Sequence, residues 1–174
     1  MQAPVLFLIS GLEGTGKTTL AAELTREFAA TATMLPGQVL AGGTSVVIEC
    51  VMSTDIREEW KAEAAAAGAR CFVIECICSD RDVHQHRVAR RHASGSSPIT
   101  WQTVIDMMRI YVPDPMPDYV ADATYDPDHH LRAITAALKK LSRCGFVDPS
   151  QPTEHGTDVF SLSSIRRQQL PKRR

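Results

Sequence analysis

Residues 11–18 read Gly11-Leu12-Glu13-Gly14-Thr15-Gly16-Lys17-Thr18, a complete G-x-x-x-x-G-K-[ST] phosphate-binding loop. Glycines let such a loop fold tightly enough to aim several backbone N–H groups at phosphate oxygens. A helix beginning near Lys17 adds its positive dipole end, the lysine ammonium reaches the terminal phosphates, and the Thr18 hydroxyl suits a magnesium ion bridging them. The context agrees with this chemistry, because the apolar run Val5-Leu6-Phe7-Leu8-Ile9 comes directly before the loop and a helical pattern directly after. Gly11, Gly14, Thr15, Gly16, Lys17, Thr18 and Thr19 are therefore the candidate nucleotide contacts.

A magnesium nucleotide site also needs an acid near the end of a neighbouring strand, to hold the metal or its water from the protein side. Glu49, after Val46-Val47-Ile48, fits that requirement; capping a helix or accepting backbone hydrogen bonds is the alternative use of such an acid. Phosphoryl transfer further needs cations over the transferred group. Arg87, Arg90 and Arg91 precede the Gly/Ser-rich stretch 93–97, which would let a lid open and close. Basic residues also complement any helix C-terminus, so both uses stay open for each arginine. Glu75, a second acid near a strand end, has no assigned role.

These residues are positioned by alternating strands and helices. Leu20, Ala21, Leu24 and Phe28 repeat at helical spacing and predict a helix over 17–30. Pro36-Gly37 and Gly42-Gly43 read as breakers, followed by a strand over 45–50. Asp55 with Glu58 makes a capping-box pattern for a helix over 56–67, and residues 70–76 supply the next strand. Ser79 with Asp82 repeats the capping pattern for a helix to about His92, and Thr100 caps another in which Trp101, Ile105, Met108 and Val112 share a core face. A short strand over 119–121 and a helix opened by Asp126-Pro127 and running to about Ser142 complete the order. Such alternation implies a parallel sheet with right-handed crossovers, helices on both faces and the ligand at the carboxyl ends of the strands. Glu49 and Glu75 then belong to the same rim as the loop.

With 174 residues, 44% of them hydrophobic and only 6% aromatic, the chain suits one domain with an aliphatic core. A formal net charge of −1 provides no general attraction for nucleic acid or an anionic membrane. The run 5–9 is too short to span a bilayer, and the reading is of a soluble, cytoplasmic protein. Five cysteines, Cys50, Cys71, Cys76, Cys78 and Cys144, lack the even framework of a small secreted domain and are expected as reduced thiols. Cys76-x-Cys78 with His84-x-His86 makes a poor metal site, since the two histidines would face different sides of a helix and are expected at the surface. Residues 144–174 read as a polar, basic, mobile tail; its Arg166, Arg167, Lys172, Arg173 and Arg174 have no aromatic residues among them to stack nucleic-acid bases.

Over residues 4–142 the loop, the Val46-to-Glu49 strand, the alanine-rich helix before Cys71-Phe72-Val73-Ile74, the Arg87/Arg91 helix and the 101–113 segment together resemble the small P-loop kinases. The nearest group is the AAA-like ATP-binding predicted kinases related to gluconate, shikimate and nucleotide kinases. The resemblance implies a three-layer α/β/α fold with a mostly parallel sheet of about four to five strands. It also implies ATP with Mg2+, Lys17 and Thr18 at the phosphates, Glu49 in the acidic second-motif position, Arg87 or Arg91 as lid arginines, and 122–127 bordering the adenine. The implied activity is transfer of the terminal phosphate of ATP to a small-molecule acceptor. One departure stands out: the segment 31–44 contains no acidic or basic residue, so the usual acceptor-binding insert is missing or reduced to a loop. Asp55 is a candidate substitute base, with helix capping as its alternative role. The loss of the insert also allows a second function, an inactive or slow ATP-binding module whose nucleotide state controls partner binding.

Overall fold

The computed structural model describes residues 3–143. The expectations placed on the tail, its basic residues and Cys144 lie outside them. Five strands form one sheet: β1 (Val5–Gly11), β2 (Thr31–Ala32), β3 (Val46–Glu49), β4 (Arg70–Ile77) and β5 (Tyr119–Asp122), in the order β2-β3-β1-β4-β5 with every pair parallel. The helices are α1 (Lys17–Glu27), α2 (Pro36–Ala41), α3 (Thr54–Ala66), α4 (Arg81–Ala93), α5 (Trp101–Ile110) and α6 (Pro127–Arg143). The chain divides into two compact units after Leu131, within α6; the sheet and the helices before α6 belong to the first. Among the described residues no helix is long and apolar enough to cross a membrane.

Continuous aliphatic runs mark strands that are covered on both faces, and all seven residues of β1 are buried. Because side chains alternate, Leu6 and Leu8 of β1 join Val46, Ile48 and Val73 beneath Leu40 of α2 and Trp60 and Ala64 of α3. Phe7 points the other way, meeting Phe28 just past α1 at 5.0 Å between ring centroids and Phe72 of β4 at 6.3 Å. The expected α/β/α layering follows, with α2 and α3 on one face and α1 lying against β1 and β3.

The register brings the two rim acids beside the end of β1. Ile9 pairs with Glu49 and Ser10 with Glu75, while β3 and β4 flank β1 on opposite sides. That is the point where the strand order reverses, the place where open parallel sheets present their ligand crevice.

Several expectations need correction. The 31–44 segment is not a bare loop: β2 pairs with β3, and Pro36 occupies the first turn of α2 instead of breaking a helix. Ser53, not Asp55, caps α3 by accepting from Ile56 N–H at 3.5 Å, and Asp80, not Ser79, caps α4 by accepting from Asp82 and Val83 N–H. Thr100 caps α5 as expected, accepting from Thr103 N–H at 3.2 Å. The buried residue of α5 is Val104, which meets Leu12 and Val88, whereas Val112 lies beyond the helix and is exposed. Trp101 and Met108 of the expected stripe do pack against that cluster, and Val112 is lost from it because the helix ends at Ile110.

β1 ends in a close approach. Gly11 has φ +139°, and a Cβ built there would stand 2.2 Å from the carbonyl oxygen of Cys76. Gly11→Ala is therefore expected to destabilise the fold by at least about 2 kcal/mol, read as a lowered denaturant midpoint at constant slope. An unchanged midpoint would mean that the two backbones are free to separate there.

Candidate nucleotide-binding site

The loop joins the end of β1 to the first turn of α1, and its three glycines all have positive φ. Gly14 is crowded from outside the loop: a Cβ would come within 2.8 Å of Val88 Cγ2 and 3.1 Å of His84 Cδ2, both on α4. The Leu12 carbonyl accepts from the Thr15 hydroxyl at 2.7 Å and from Lys17 Nζ at 2.8 Å. Lys17 is thus folded back onto its own loop and buried. Burial pushes its pKa down, opposed by the carboxylates of Glu13 and Glu49.

Thr18 and Glu49 meet across the rim. The threonine hydroxyl donates to Glu49 Oε1 at 2.8 Å, while Oε2 is buried and has no hydrogen-bond partner among the described residues. A carboxylate oxygen of this kind wants a cation or a donor. An oxygen-only pair of a hydroxyl and a carboxylate suits a hard divalent cation such as magnesium.

A cavity of about 250 Å³ opens beside the loop, lined by Gly14, Thr15 and Gly16, by Arg87, Arg90 and Arg91 of α4, by Ala121, Ala123, Tyr125, Pro127 and His130, and by Thr19, Leu20 and Cys76. The arginines and the 122–127 stretch singled out from sequence therefore share one cavity with the loop. Hydrogen bonds tie the residues around Asp122 together. Asp122 Oδ1 accepts from Ser79 N–H at 3.1 Å and Thr124 N–H at 3.0 Å, and the Asp122 carbonyl is 2.8 Å from His130 Nε2. His130 Nδ1 lies 2.9 Å from the Tyr119 hydroxyl. Burial raises the Asp122 pKa, but the hydrogen bonds from Ser79 and Thr124 outweigh it and hold the carboxyl below its usual range.

Glu13 drew no assignment from sequence and His84 was expected at the surface; both take part in holding the loop. His84 is 2% exposed instead of lying at the surface; its Nε2 is 2.6 Å from the Glu13 carbonyl and its ring meets Trp101 edge-on at 5.1 Å. To bond that carbonyl, Nε2 must carry the proton. Arg91 Nη1 lies 2.9 Å from Glu13 Oε1, an ion pair that is off-axis for a hydrogen bond. The stretch 93–97, expected to be flexible, is a hydrogen-bonded helix end in which Ser94, Gly95, Ser96 and Ser97 N–H all return to carbonyls of α4.

Glu75 occupies a second, buried network. Ser10 donates to its Oε2 at 2.7 Å and Tyr111 to its Oε1 at 2.6 Å. Burial raises its pKa, and those two donors partly oppose the rise. Next to it, Arg57 is 1% exposed and paired with Asp114 at 3.4 Å, which also binds Lys61 at 3.1 Å. Asp55 is not brought into either cluster; it sits exposed in the first turn of α3.

No protein-family model and no curated protein sequence matches this chain. Solved structures do share its fold. A protein carrying a provisional kinase description, from Chloroflexus aurantiacus, superposes with a TM-score of 0.62 at 19% identity, over 78% of this chain and 99% of its own. A gluconokinase from Sinorhizobium meliloti gives 0.59 at 15% identity, over 83% and 97%. The Mycobacterium tuberculosis APS kinase, solved with AMPPNP and APS, gives 0.55 at 14% identity, over 80% and 99%. The fold is that of the P-loop kinases.

His84 supplies a pH-dependent contribution. Burial first, then the nearby cations Arg87 and Lys17, lower its pKa, against the Glu13 carbonyl bond that raises it. A histidine whose folded pKa lies below its unfolded value of about 6.5 adds stability above that value, which is lost as pH falls towards the folded one. His84→Gln keeps an N–H donor for the carbonyl but does not titrate. Between pH 7 and pH 5 the variant should lose less melting temperature than the wild type; parallel curves would mean that His84 does not titrate differently on folding.

Proposed function

We propose that this chain binds ATP with magnesium in the cavity beside residues 11–18 and transfers its terminal phosphate to a small molecule. One observation carries the reading: Thr18, directly after the loop lysine, donates to Glu49 on the adjacent strand, whose second oxygen is buried without a partner. These residues fit a magnesium ion, with Thr18 and Glu49 as its protein-side holders. When bound, the ion would draw off charge from the phosphate oxygens.

The chain's own residues account for the remaining tasks. The backbone N–H groups of the loop and of the N-terminus of α1 donate to the phosphate oxygens, and Lys17 exchanges its bond to the Leu12 carbonyl for a phosphate oxygen. Arg87 and Arg91 neutralise charge that spreads over the transferred group. Ala121, Ala123, Tyr125 and Pro127 border the base without offering it an unpaired carboxylate, since Asp122 is committed to Ser79 and Thr124. The Mycobacterium tuberculosis APS kinase, which shares the fold, was solved with AMPPNP. The same reading places the protein in the cytoplasm, where ATP is available and the thiols of Cys50, Cys71, Cys76 and Cys78 stay reduced.

A second reading, a nucleotide-controlled binding module, is favoured by the slight acceptor side. There, 31–44 contributes a two-residue strand and a six-residue helix with no charged side chain. Asp55, exposed in the first turn of α3, is the acid proposed to receive an acceptor proton in the kinase reading.

Lys17→Met separates binding from folding. Removing a buried ammonium should leave the melting temperature of the free protein no lower than wild type, while the rise produced by magnesium and ATP should disappear. A variant that kept the full ligand-induced rise would refute the phosphate role of Lys17. For the transfer step, labelled ATP is incubated with a panel of sugars, nucleosides and other hydroxyl compounds. A labelled product that depends on magnesium and on Lys17 supports the kinase; saturable binding with no product from any acceptor would favour the binding module.

A further inference from the structure

The loop contains an acid of its own. Glu13 stands inside the phosphate-binding motif, two residues after Gly11, where its carboxylate acts on Lys17 and pairs with Arg91. Its Oε1 is buried and accepts no hydrogen bond from any of the described residues, and the off-axis guanidinium 2.9 Å away is its counter-charge. Arg91 in turn is a wall of the cavity, together with Arg87, Arg90 and the loop itself. Two carboxylates, Glu13 and Glu49, thus face two cations, Lys17 and Arg91, at the point where phosphates would enter.

We propose that Glu13 is a specificity-determining residue that holds Arg91 in reserve and makes tight polyphosphate binding depend on a divalent cation. This rests on the nucleotide reading above. In the free protein Arg91 belongs to Glu13. A ligand that engages Arg91 has to draw it off the carboxylate, and its phosphates then lie near a negative charge that has lost its partner. Both effects fall on ligands whose phosphates reach Arg91, and they are greatest where no divalent cation neutralises those phosphates. They are overcome by a polyphosphate that replaces Glu13 as the partner of Arg91 and that brings a divalent cation to offset the repulsion.

His84 keeps the device in register. Its Nε2 bonds the Glu13 carbonyl at 2.6 Å and so ties the loop to α4, the helix that also carries Arg91, and Gly14 lets that helix approach the loop. The carboxylate and the guanidinium therefore meet through two rigid elements. Side-chain rotation of Arg91, which is 40% exposed, is enough to exchange its partner.

The test measures binding of an unreactive ATP analogue, ADP and AMP, each with and without magnesium, to wild type, Glu13→Gln and Glu13→Ser. The neutral variants should bind the triphosphate about three- to tenfold tighter, with the gain shrinking from triphosphate to monophosphate and larger without magnesium than with it. Adding Arg91→Gln to Glu13→Gln should then weaken binding more than the same change does in wild type, because Arg91 is no longer shared. Unchanged or weaker binding by both folded neutral variants, with the wild type binding normally, would overturn the role of Glu13 and leave the nucleotide site standing. Equal gains for AMP and the triphosphate would also overturn it. Absence of any nucleotide binding by the wild type would remove both readings together.

Discussion

The site depends on how closely two backbones can pass where β1 leaves the sheet. The Cα of Gly11 lies against the Cys76 carbonyl at a distance that no side chain would allow, so the chain can turn out of the sheet between β3 and β4 without displacing either. Everything that acts at the rim is measured from that turn. Glu49 is opposite Ile9, Glu75 opposite Ser10, and the loop itself begins one residue later. A second close approach, Gly14 under His84 and Val88, seats α4 on the loop and so brings its arginines to the cavity. Two glycines that contribute no side chain thereby determine where the charged side chains stand.

Charge at this rim is arranged by burial as much as by sequence. Lys17 is buried without a full counter-ion bond and is held by a carbonyl, while one oxygen of Glu49 is orphaned nearby. Unsatisfied groups of this kind are costly in a folded protein and are tolerated where a ligand completes them. The neighbouring network is more fully paired, although Arg57 Nε too lacks a hydrogen-bond partner among the described residues. Glu75 takes hydrogen bonds from Ser10 and Tyr111, and Arg57 is paired with Asp114, so these buried groups lock α3, β1, β4 and the chain after α5 to one another. One cluster is left open towards solvent and the other is closed, although both grow from the same edge of the sheet.

Much of this was legible in the residues. Strands β1, β3 and β4 were read within a residue or two of their bounds, because a parallel strand covered on both faces is a continuous aliphatic run. The loop motif, Glu49 and the three arginines are visible in residue types and spacing, and the structure puts the arginines and the loop on one cavity and Glu49 on Thr18. The pieces missed were those with weak local signals. β2 is two exposed residues at a sheet edge, and α2 is a six-residue helix whose Pro36 also looks like a breaker. Ser53 and Asp80 were passed over as caps because neighbouring residues matched the same capping pattern, and side-chain geometry alone chooses among such neighbours. Glu13 hid in a position that the motif leaves free, and His84 looked like one more polar residue on a polar helix.

By itself the sequence determined the phosphate loop and the alternation of strand and helix, since both follow from residue types over short spans: glycine where φ must be positive, aliphatic runs where a strand is covered twice. It also specified which cations were available. Only the tertiary structure decided which of them are used together. Arg91 finds Glu13 across 78 positions of sequence, Thr18 finds Glu49 across 31, and His84 closes on a loop carbonyl 71 positions away. Such pairings depend on strand order and on the distance at which one backbone may pass another, and no local pattern encodes either.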